Sequence, residues 1–384
     1  MTSLTFLICT RNGSSTLAEC IAHIGRQKGI PHDEFEVLIV DNGSSDGTVG
    51  IAQAALAELK CATKFVVEPK EGKIRAFLRG LQLSEAPYVS VIDDDNFIGE
   101  EFACRSMRMY SEFPELGIVG SVNTIDAQHV PAWFPLAAGR FACAKPHLSG
   151  EIKPIDRHRE IASHGMIAGA GSTFRKEPLL RALELGFGFV NDTLRGGGAV
   201  SGGEDLELCF LLQYCGYWFG FDRRITLQHR INPNRLTWAY ARRLSRGIGE
   251  CGLVLDAFIW IQSANVSPGK GTWWWLAARR VRRLATRLPT FLSHRKRFSR
   301  EVLHWDTDVG ALIRLCRERG AITRRMRDMK SSRWARELRN YRTNTAGSAA
   351  PSPGLPKMVL AGCVPTRGPE SDPGLAASGR KADE

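Results

Sequence analysis

The sequence predicts an α/β fold in which a mostly parallel, Rossmann-like sheet carries helices on both faces. Apolar runs of four to six residues, typical of buried strands, recur through the first hundred residues. Each run ends in a polar turn, and a stretch with helical periodicity precedes the next run. Such alternation is typical of βαβ units, whose strands lie parallel.

The predicted elements follow one another in a regular order. The first strand, residues 4–9, ends in the turn Thr10-Arg11-Asn12-Gly13, and a helix runs from there to about residue 28. The unit repeats, with strands at 35–40, 64–67 and 88–92 and helices at 48–60 and 72–83. Further along, a helix is predicted at 204–216, followed by a strand that begins near residue 217 and leads to His229.

Composition excludes several classes of protein. The chain has 384 residues, of which 43% are hydrophobic and 24% charged, which excludes a wholly disordered chain, collagen and a small disulfide scaffold. The 10 cysteines are scattered without zinc-site spacing, which favours a reducing cytoplasm. We identify no signal peptide and no apolar run of about 18 residues, so we do not expect the chain to cross a membrane.

Positive charge is concentrated near the C-terminus. Residues 270–342 contain 21 Lys and Arg against 6 Asp and Glu, whereas the net charge of the whole chain is +12. Within this region, residues 272–288 join three tryptophans to an arginine-rich helix, a pattern that favours peripheral association with anionic lipid. A solvated helix with its tryptophans in the core is the alternative, and nucleic-acid binding is less favoured. Residues 344–384 are predicted to be a disordered tail.

Polar clusters follow three of the predicted strands: Thr10-Arg11-Asn12, Asp41-Asn42 and Asp93-Asp94-Asp95-Asn96. Ligands of parallel sheets bind at the carboxyl ends of the strands, where these clusters would converge. Helix capping and turn formation could explain each cluster alone. Three consecutive aspartates repel one another, however, so they indicate a hard cation such as Mg²⁺ or Mn²⁺ with a diphosphate. The chain lacks the glycine-rich loops of P-loop enzymes and Rossmann dehydrogenases.

The chain resembles family 2 glycosyltransferases of the GT-A fold over residues 4–230. The resemblance rests on residues 6–12, 40–48 and 91–96 and on Gly202-Gly203-Glu204-Asp205, in that order. It implies that Asp41 contacts the nucleotide base beside Thr10 and Arg11, and that Asp93 and Asp95 hold the ribose and a Mn²⁺ or Mg²⁺ ion. The predicted contacts with the nucleotide sugar are Thr10, Arg11, Asn12, Asp41, Asn42, Asp93 and Asp94.

One stretch departs from the family pattern. Many members carry Ala-Arg-Asn in the helix after the third strand, whereas this chain has Ala76-Phe77-Leu78. Lys73 or Arg75, near the start of that helix, would instead contact the diphosphate. A solvated helix face explains both side chains equally well.

The second half is predicted to supply the acceptor side. In the family, a glycine-rich strand like residues 167–175 lies near the donor sugar, which assigns Gly169, Ala170, Gly171 and Gly203 to the sugar and acceptor pocket. A tightly packed sheet corner is the alternative for this strand. The stretch 194–203 is predicted to be a flexible loop that closes over the substrate.

The acidic pair after that loop is the predicted catalytic centre. We assign Asp205 as the general base of an inverting transfer and Glu204 as its orienting neighbour. Electrostatic capping of the helix is the alternative, and the helix N-terminus is expected to lower the pKa of Asp205. Some GT-A enzymes carry a histidine metal ligand at the position of His229, for which a structural role is the alternative.

These observations define three predicted regions. Residues 1–232 would form the glycosyltransferase domain, with a nucleotide-sugar half at 1–123 and an acceptor half at 124–232. Residues 233–343 would form a helical extension rich in Arg and Trp, and 344–384 the tail. The predicted activity is transfer of a sugar to a hydroxyl of a glycan or lipid-linked acceptor at the inner membrane face. A nucleotidyltransferase and a non-catalytic lipid- or anion-binding protein are the alternatives.

Overall fold

The first four strands form a parallel sheet whose register brings the predicted site residues together. The computed structural model describes residues 2–191, 203–262, 273–318, 324, 328–339 and 341–342, with 254–262 by backbone alone. The strands are β1 (Leu4–Thr10), β2 (Phe35–Asp41), β3 (Ala62–Val67) and β4 (Tyr88–Ile92). Thr10 pairs with Asp41 across β1 and β2, so the polar ends of these strands lie side by side.

The second half completes a mixed sheet of ten strands. It adds β5 (Asn96–Ile98), β6 (Leu116–Asp126), β7 (His147–Pro154), β8 (Arg159–Met166), β9 (Ser172–Arg175) and β10 (Trp218–Arg230). The order is β3-β2-β1-β4-β9-β6-β10-β8-β7, with β5 paired to β10. Antiparallel β9 separates β4 from β6, yet β6 and β10 run in the same direction as the first four strands. The predicted α/β fold with a mostly parallel sheet is confirmed.

Helices cover both faces of the sheet, as the sequence predicts. They are α1 (Leu17–Gly25), α2 (Thr48–Ala57), α3 (Lys73–Leu83), α4 (Phe102–Glu112), α5 (Lys176–Glu184) and α6 (Glu204–Tyr214). Alternate residues of β1 point to opposite faces. Phe6 and Ile8 pack in the core shared with α1, α2 and α4, whereas Leu7 packs in the core shared with α3, α5 and α6.

The helical extension packs as a separate layer of helices. It contains α7 (Trp238–Gln262), α8 (Trp273–His294), α9 (Arg300–Glu318) and α10 (Arg333–Glu337). Helices α7 and α9 cross at two glycines: a Cβ on Gly249 would lie 1.9 Å from the Thr307 carbonyl oxygen, and one on Gly310 would lie 2.0 Å from that of Arg246. Only glycine permits so close an approach of two backbones.

Aromatic contacts return the end of the described chain to the sheet domain. Trp334 of α10 is 2% exposed and packs edge to face against Phe187 and Tyr214. The helical extension is confirmed, whereas its boundary at residue 233 stays a prediction. None of the helices in the described ranges is long and apolar enough to span a bilayer. The predicted tail at 344–384 lies outside those ranges.

Candidate active site

Asp41 lies at the carboxyl edge of the sheet with one oxygen unsatisfied. Its side chain is 2% exposed, and Oδ2 accepts a hydrogen bond from the backbone amide of Ser44 at 3.2 Å. Oδ1 is buried without a hydrogen-bond partner among the described residues. A buried carboxylate oxygen without a donor is costly, so this atom is suited to accept a hydrogen bond from a ligand.

The two asparagines near Asp41 shape the surrounding loops. The Asn42 amide donates to the carbonyls of Glu68 and Lys70 and accepts from the backbone of Gly72 at 2.8 Å. Asn12 has a φ of 57° and accepts from the backbone amide of Ser45 at 2.8 Å. Both residues therefore lie at the predicted site, where their side-chain amides hold the loops after β1 and β2.

The two arginines predicted for the site lie in different environments. Arg11 pairs with Glu71 at 2.5 Å at the rim of the site. Arg75 is exposed on the first turn of α3. Of the two basic residues proposed for the diphosphate, the structure therefore brings Lys73, and not Arg75, to the aspartates.

Each of the three consecutive aspartates has a different partner. Asp93 faces Lys73, with 3.4 Å between Oδ1 and Nζ. Asp94 accepts a hydrogen bond from the Thr10 hydroxyl, which ties the ends of β4 and β1 together. Asp95 faces His229 at 3.4 Å. The separate partners reduce the repulsion among the three carboxylates.

His229 is positioned by strand pairing and by a backbone carbonyl. It lies opposite Asn96 in the β5–β10 pair, which brings it beside Asp95. Its Nδ1 lies 2.9 Å from the Phe141 carbonyl oxygen, so Nδ1–H donates there and Nε2 faces Asp95. Burial lowers its pKa, but hydrogen bonds with Asp95 and Cys143 outweigh burial and raise it to about 10.

The donor set fits a divalent cation in part. A carboxylate and an imidazole whose other nitrogen donates to a carbonyl are a common pair of metal ligands. Asp95 and His229 form this pair, whereas Asp93 lies with Lys73. No group of three His, Cys, Asp or Glu side chains is gathered for a metal among the described residues. Of the three predicted metal ligands, the structure therefore brings Asp95 and His229 together, whereas Asp93 contacts Lys73.

Lys73 connects the aspartates to the acidic pair at the start of α6. Its Nζ lies 3.4 Å from Asp93 and 3.1 Å from Glu204. The charge of Asp93, together with that of Glu204, raises the pKa of Lys73 well above its usual value despite burial. The Lys73 ammonium group is therefore held between the carboxyl edge of the sheet and helix α6.

Asp205 is held by two backbone amides beside Glu204. Gly169 donates to Oδ2 at 3.1 Å and Leu206 donates to Oδ1 at 2.8 Å. Gly203, the residue before α6, has a φ of 132°, which favours glycine at this turn. Burial, with the charge of Glu204, raises the pKa of Asp205 to about 6. The expectation of a lowered pKa is wrong, because desolvation outweighs the helix N-terminus.

The glycine-rich segment at 167–175 has features of both predicted roles, a tightly packed sheet corner and a wall of the sugar and acceptor pocket. A Cβ on Gly171 would lie 2.3 Å from the Ser121 hydroxyl, which is the tight packing of a sheet corner. Gly169 lies in the turn between β8 and β9 rather than in the predicted strand, and a Cβ on it would lie 3.3 Å from the Cβ of Asp205, so this glycine lets the turn approach the predicted base. Ala170 and Gly203 line the cavity that Asp205 also lines.

That cavity has a volume of about 710 Å³ and extends into the helical extension. One wall comes from the sheet domain and includes Asp205, Ala170 and Asn123. A second wall comes from the helical extension and includes Arg279 and Arg283 of α8. The sequence did not predict that α8 lines this cavity. Its excess of arginine indicated an anionic partner, but it did not indicate which face of the helix points toward the cavity.

Glu207 is a second residue that sequence reasoning missed. It is fully buried and accepts hydrogen bonds at 2.7 Å from the backbone amides of Val190 and Asn191. Burial raises its pKa to about 7. A third acid in the first turn of α6 was the available signal. The predicted flexible loop at 194–203 falls almost entirely outside the described residues.

Three comparisons relate this chain to known proteins. Residues 5–181 match the model of the family described as glycosyl transferase family 2. The glycosyltransferase GlyG of Streptococcus pneumoniae serotype 4 (strain ATCC BAA-334 / TIGR4) is 27% identical over 89 residues. That alignment covers 23% of this chain and 29% of GlyG, so this chain spans less than a third of that relative.

Solved structures give distant likenesses over most of the chain. The S. aureus TarS 1-349 structure matches with a TM-score of 0.48 and 15% identity, over 90% of this chain and 91% of that chain. The mannosyltransferase PcManGT from Pyrobaculum calidifontis, in complex with GDP-Man and Mn2+, matches with a TM-score of 0.47 and 16% identity, over 89% and 83%. At these TM-scores the likenesses carry no functional conclusion. Glycosyl transferase family 2 is thus the family whose model residues 5–181 of this chain match.

Proposed function

We propose that this protein is an inverting, metal-dependent glycosyltransferase that moves a sugar from a nucleotide-diphosphate sugar to a hydroxyl group. The observation that carries the proposal is the Lys73 bridge, whose Nζ contacts Asp93 and Glu204 at 3.4 and 3.1 Å. It joins the nucleotide edge of the sheet to the helix that starts with the predicted base. A binding protein without catalysis has no need of that junction.

The donor nucleotide would bind at the ends of β1, β2 and β4. The unsatisfied Oδ1 of Asp41 would accept a hydrogen bond from an N–H of the base. Asp93 and Asp94 would contact the ribose, and Lys73 would balance the charge of the diphosphate. Thr10, which bonds to Asp94, positions that carboxylate.

Asp95 and His229 would hold the divalent cation. A bound Mn²⁺ or Mg²⁺ ion would supply charge neutralisation for the departing diphosphate. The carbonyl of Phe141 holds the His229 ring in the orientation that directs Nε2 toward Asp95. The chain's own contribution to the metal is thus a carboxylate and an oriented imidazole.

Asp205 would act as the general base. With a pKa raised to about 6, its carboxylate is ionised at neutral pH and more basic than an ordinary aspartate. It would take the proton of the acceptor hydroxyl as that oxygen attacks the anomeric carbon from the face opposite the diphosphate. The bond from the anomeric carbon to the diphosphate breaks, which inverts the configuration. Glu204 and Lys73, which form an ion pair at 3.1 Å, would position Asp205 and the acceptor hydroxyl.

Helix α8 supports peripheral binding to an anionic membrane. Trp274, Ala278, Val281, Ala285, Leu288 and Leu292, which we call the apolar stripe, follow one another at spacings of four and three residues, and all are exposed. Trp274 is 75% exposed. Arg295, Lys296 and Arg297 are exposed just beyond the helix, where they would meet anionic headgroups. The other face of α8 is buried at Leu276 and Arg280.

The test is turnover of UDP-, GDP- and dTDP-sugars with Mn²⁺ or Mg²⁺ by the wild type, Asp95→Ala and Asp205→Asn. Asp33→Asn is the matched control, because Asp33 is exposed and precedes β2 at the end of the strand that lies away from the site. We expect one donor to be used, release of the nucleoside diphosphate, and loss of transfer in both site variants only. Release of sugar 1-phosphate, which follows attack at the α-phosphorus, would instead indicate a nucleotidyltransferase. Turnover that survives Asp95→Ala would contradict the metal assignment.

A further inference from the structure

The cavity beside Asp205 is strongly positive. Among the described residues that line it, five carry a fixed positive charge: Arg140, Lys145, Arg279, Arg280 and Arg283. Asp205 is the one carboxylate among those described lining residues. At 710 Å³ the cavity is in the size range of substrate pockets. Its charge is therefore suited to an anionic ligand.

Among the described residues, the carboxylate of Asp308 lies beside two of these five cations. Asp308, buried between α8 and α9, contacts three guanidinium groups, those of Arg280 at 3.3 Å, Arg283 at 3.9 Å and Arg287. One carboxylate thus serves three cations. Lys145 is exposed and forms no ion pair with a described residue, and the Nε of Arg140 is buried without a hydrogen-bond partner there.

His304, which also lines the cavity, lies close enough to neighbouring arginines for their charges to affect its pKa. Burial and the charges of Arg140 and Arg287 hold the pKa of this imidazole below its usual value. The imidazole is therefore neutral near pH 7, and it adds no charge of its own.

The donor diphosphate does not account for these cations. The cavity lining contains none of the residues proposed to contact the donor nucleotide, which are Asp41, Asp93, Asp94 and Lys73. Asp205 is the residue that belongs both to the proposed catalytic centre and to the cavity. The positive wall therefore faces the acceptor side of the reaction.

We propose that this cavity binds a phosphate group of the acceptor, so that the acceptor is a phosphorylated alcohol or a phosphodiester whose free hydroxyl reaches Asp205. The assignment to the acceptor rests on the proposed function. Arginine side chains bind phosphate through paired N–H donors, and the charge of a phosphate monoester matches several cations better than a single carboxylate does. The source is a soluble phosphorylated glycan or a lipid phosphate.

The test compares sn-glycerol 3-phosphate with glycerol by calorimetry on the full chain. We expect the phosphate to bind the wild type and to bind about ten- to a hundredfold more weakly to Arg279→Gln and to Lys145→Gln. Lys145 is exposed, so its variant is expected to fold normally. Arg282→Gln is the matched control, since Arg282 is exposed on the same helix and is absent from the lining.

Two further titrations complete the test. Micelles containing phosphatidylglycerol separate the two sources. Binding that depends on Arg279 and occurs only with the micelles indicates a lipid acceptor, whereas Arg279-dependent binding of soluble sn-glycerol 3-phosphate indicates a soluble phosphorylated glycan. UDP and GDP, titrated into the same variants, report the donor site. Nucleotide binding without phosphate binding, or phosphate binding that Arg279→Gln and Lys145→Gln leave unchanged, would overturn the inference and leave the proposed function standing. Arg279-dependent phosphate binding in a protein that binds no nucleotide would overturn the proposed function alone.

Discussion

The proposed donor edge, which comprises Thr10, Asp41 and the three consecutive aspartates, and the proposed acceptor cavity beside Asp205 are built in different ways. The donor edge comes from turns that directly follow strands, and strand register alone places Thr10 beside Asp41. The proposed acceptor cavity is assembled from β6, residues 139–147, the glycine-rich segment, α6 and three helices of the extension, so its lining runs from Ser121 to Thr307. The difference teaches that the proposed nucleotide site depends on turns next to paired strands, whereas the proposed acceptor site depends on packing between segments far apart in the sequence.

Replacing the base should separate the two regions most sharply. We expect Asp205→Asn to reduce transfer about 10³-fold or more, because a general base contributes roughly 10² to 10⁴ and the amide cannot accept the proton. Nucleoside diphosphate binding should be unchanged, since Asp205 lies on the acceptor side. Parallel measurement of transfer rate and nucleotide affinity checks this, and a matching loss of affinity would contradict the division into two regions.

Packing of the extension should matter next. Gly249→Val would place side-chain atoms against the backbone of α9, so we expect the free energy of unfolding to fall by about 3 kcal/mol. The matched control is Gly252→Ala on the same helix, where a Cβ meets nothing within 4 Å. That change should raise stability by about 0.5 to 1 kcal/mol. Urea unfolding of both variants gives the comparison, and equal stabilities would refute the crossing at Gly249.

A change confined to the donor edge should weaken nucleotide binding alone. We expect Asp41→Asn to lower nucleoside diphosphate affinity about ten- to a hundredfold, because a hydrogen bond to a charged acceptor is lost. Binding of sn-glycerol 3-phosphate in the acceptor cavity should stay the same. Calorimetry with both ligands checks the prediction, and an equal loss for both would mean that the edge and the cavity are one site.

The pH profile tests the raised pKa of Asp205. Since the base must be ionised, we expect kcat/KM to fall about tenfold per pH unit below a pH of about 6 and to level off above it. The pKa lies above the usual aspartate value of 3.8, so this limb lies about two pH units higher than that of an unperturbed carboxylate. A limb near pH 4 would show that burial does not control this group.

The smallest effect is expected at the apolar stripe of α8. Leu288→Gln should reduce binding to vesicles of phosphatidylglycerol several-fold, since one exposed side chain contributes about 1 to 2 kcal/mol when it enters the bilayer interface. Co-sedimentation with phosphatidylglycerol and phosphatidylcholine vesicles measures it. Binding that is equal for both lipids, or unchanged by the substitution, would remove the membrane surface from the proposal.

Local rules predicted much of the donor edge. Apolar runs followed by polar turns located β1, β2 and β4, and parallel pairing explains why Thr10, Asp41 and the three aspartates lie along one edge. The same rules could not choose between Lys73 and Arg75, because the choice depends on which side of α3 faces Glu204. They also gave the wrong direction for the pKa of Asp205, since its burial comes from distant segments.

The sequence by itself determined the alternation of strands and helices, the family resemblance and the position of the acidic pair, because each depends on residues close together in the chain. The tertiary structure alone decided that Asp95 meets His229, that Lys73 joins Asp93 to Glu204 and that arginines of α8 line the same cavity as Asp205. The physical reason is that charge and burial act through space. A local pattern sets the secondary structure, whereas the partners of a side chain are set by the packing of the whole fold.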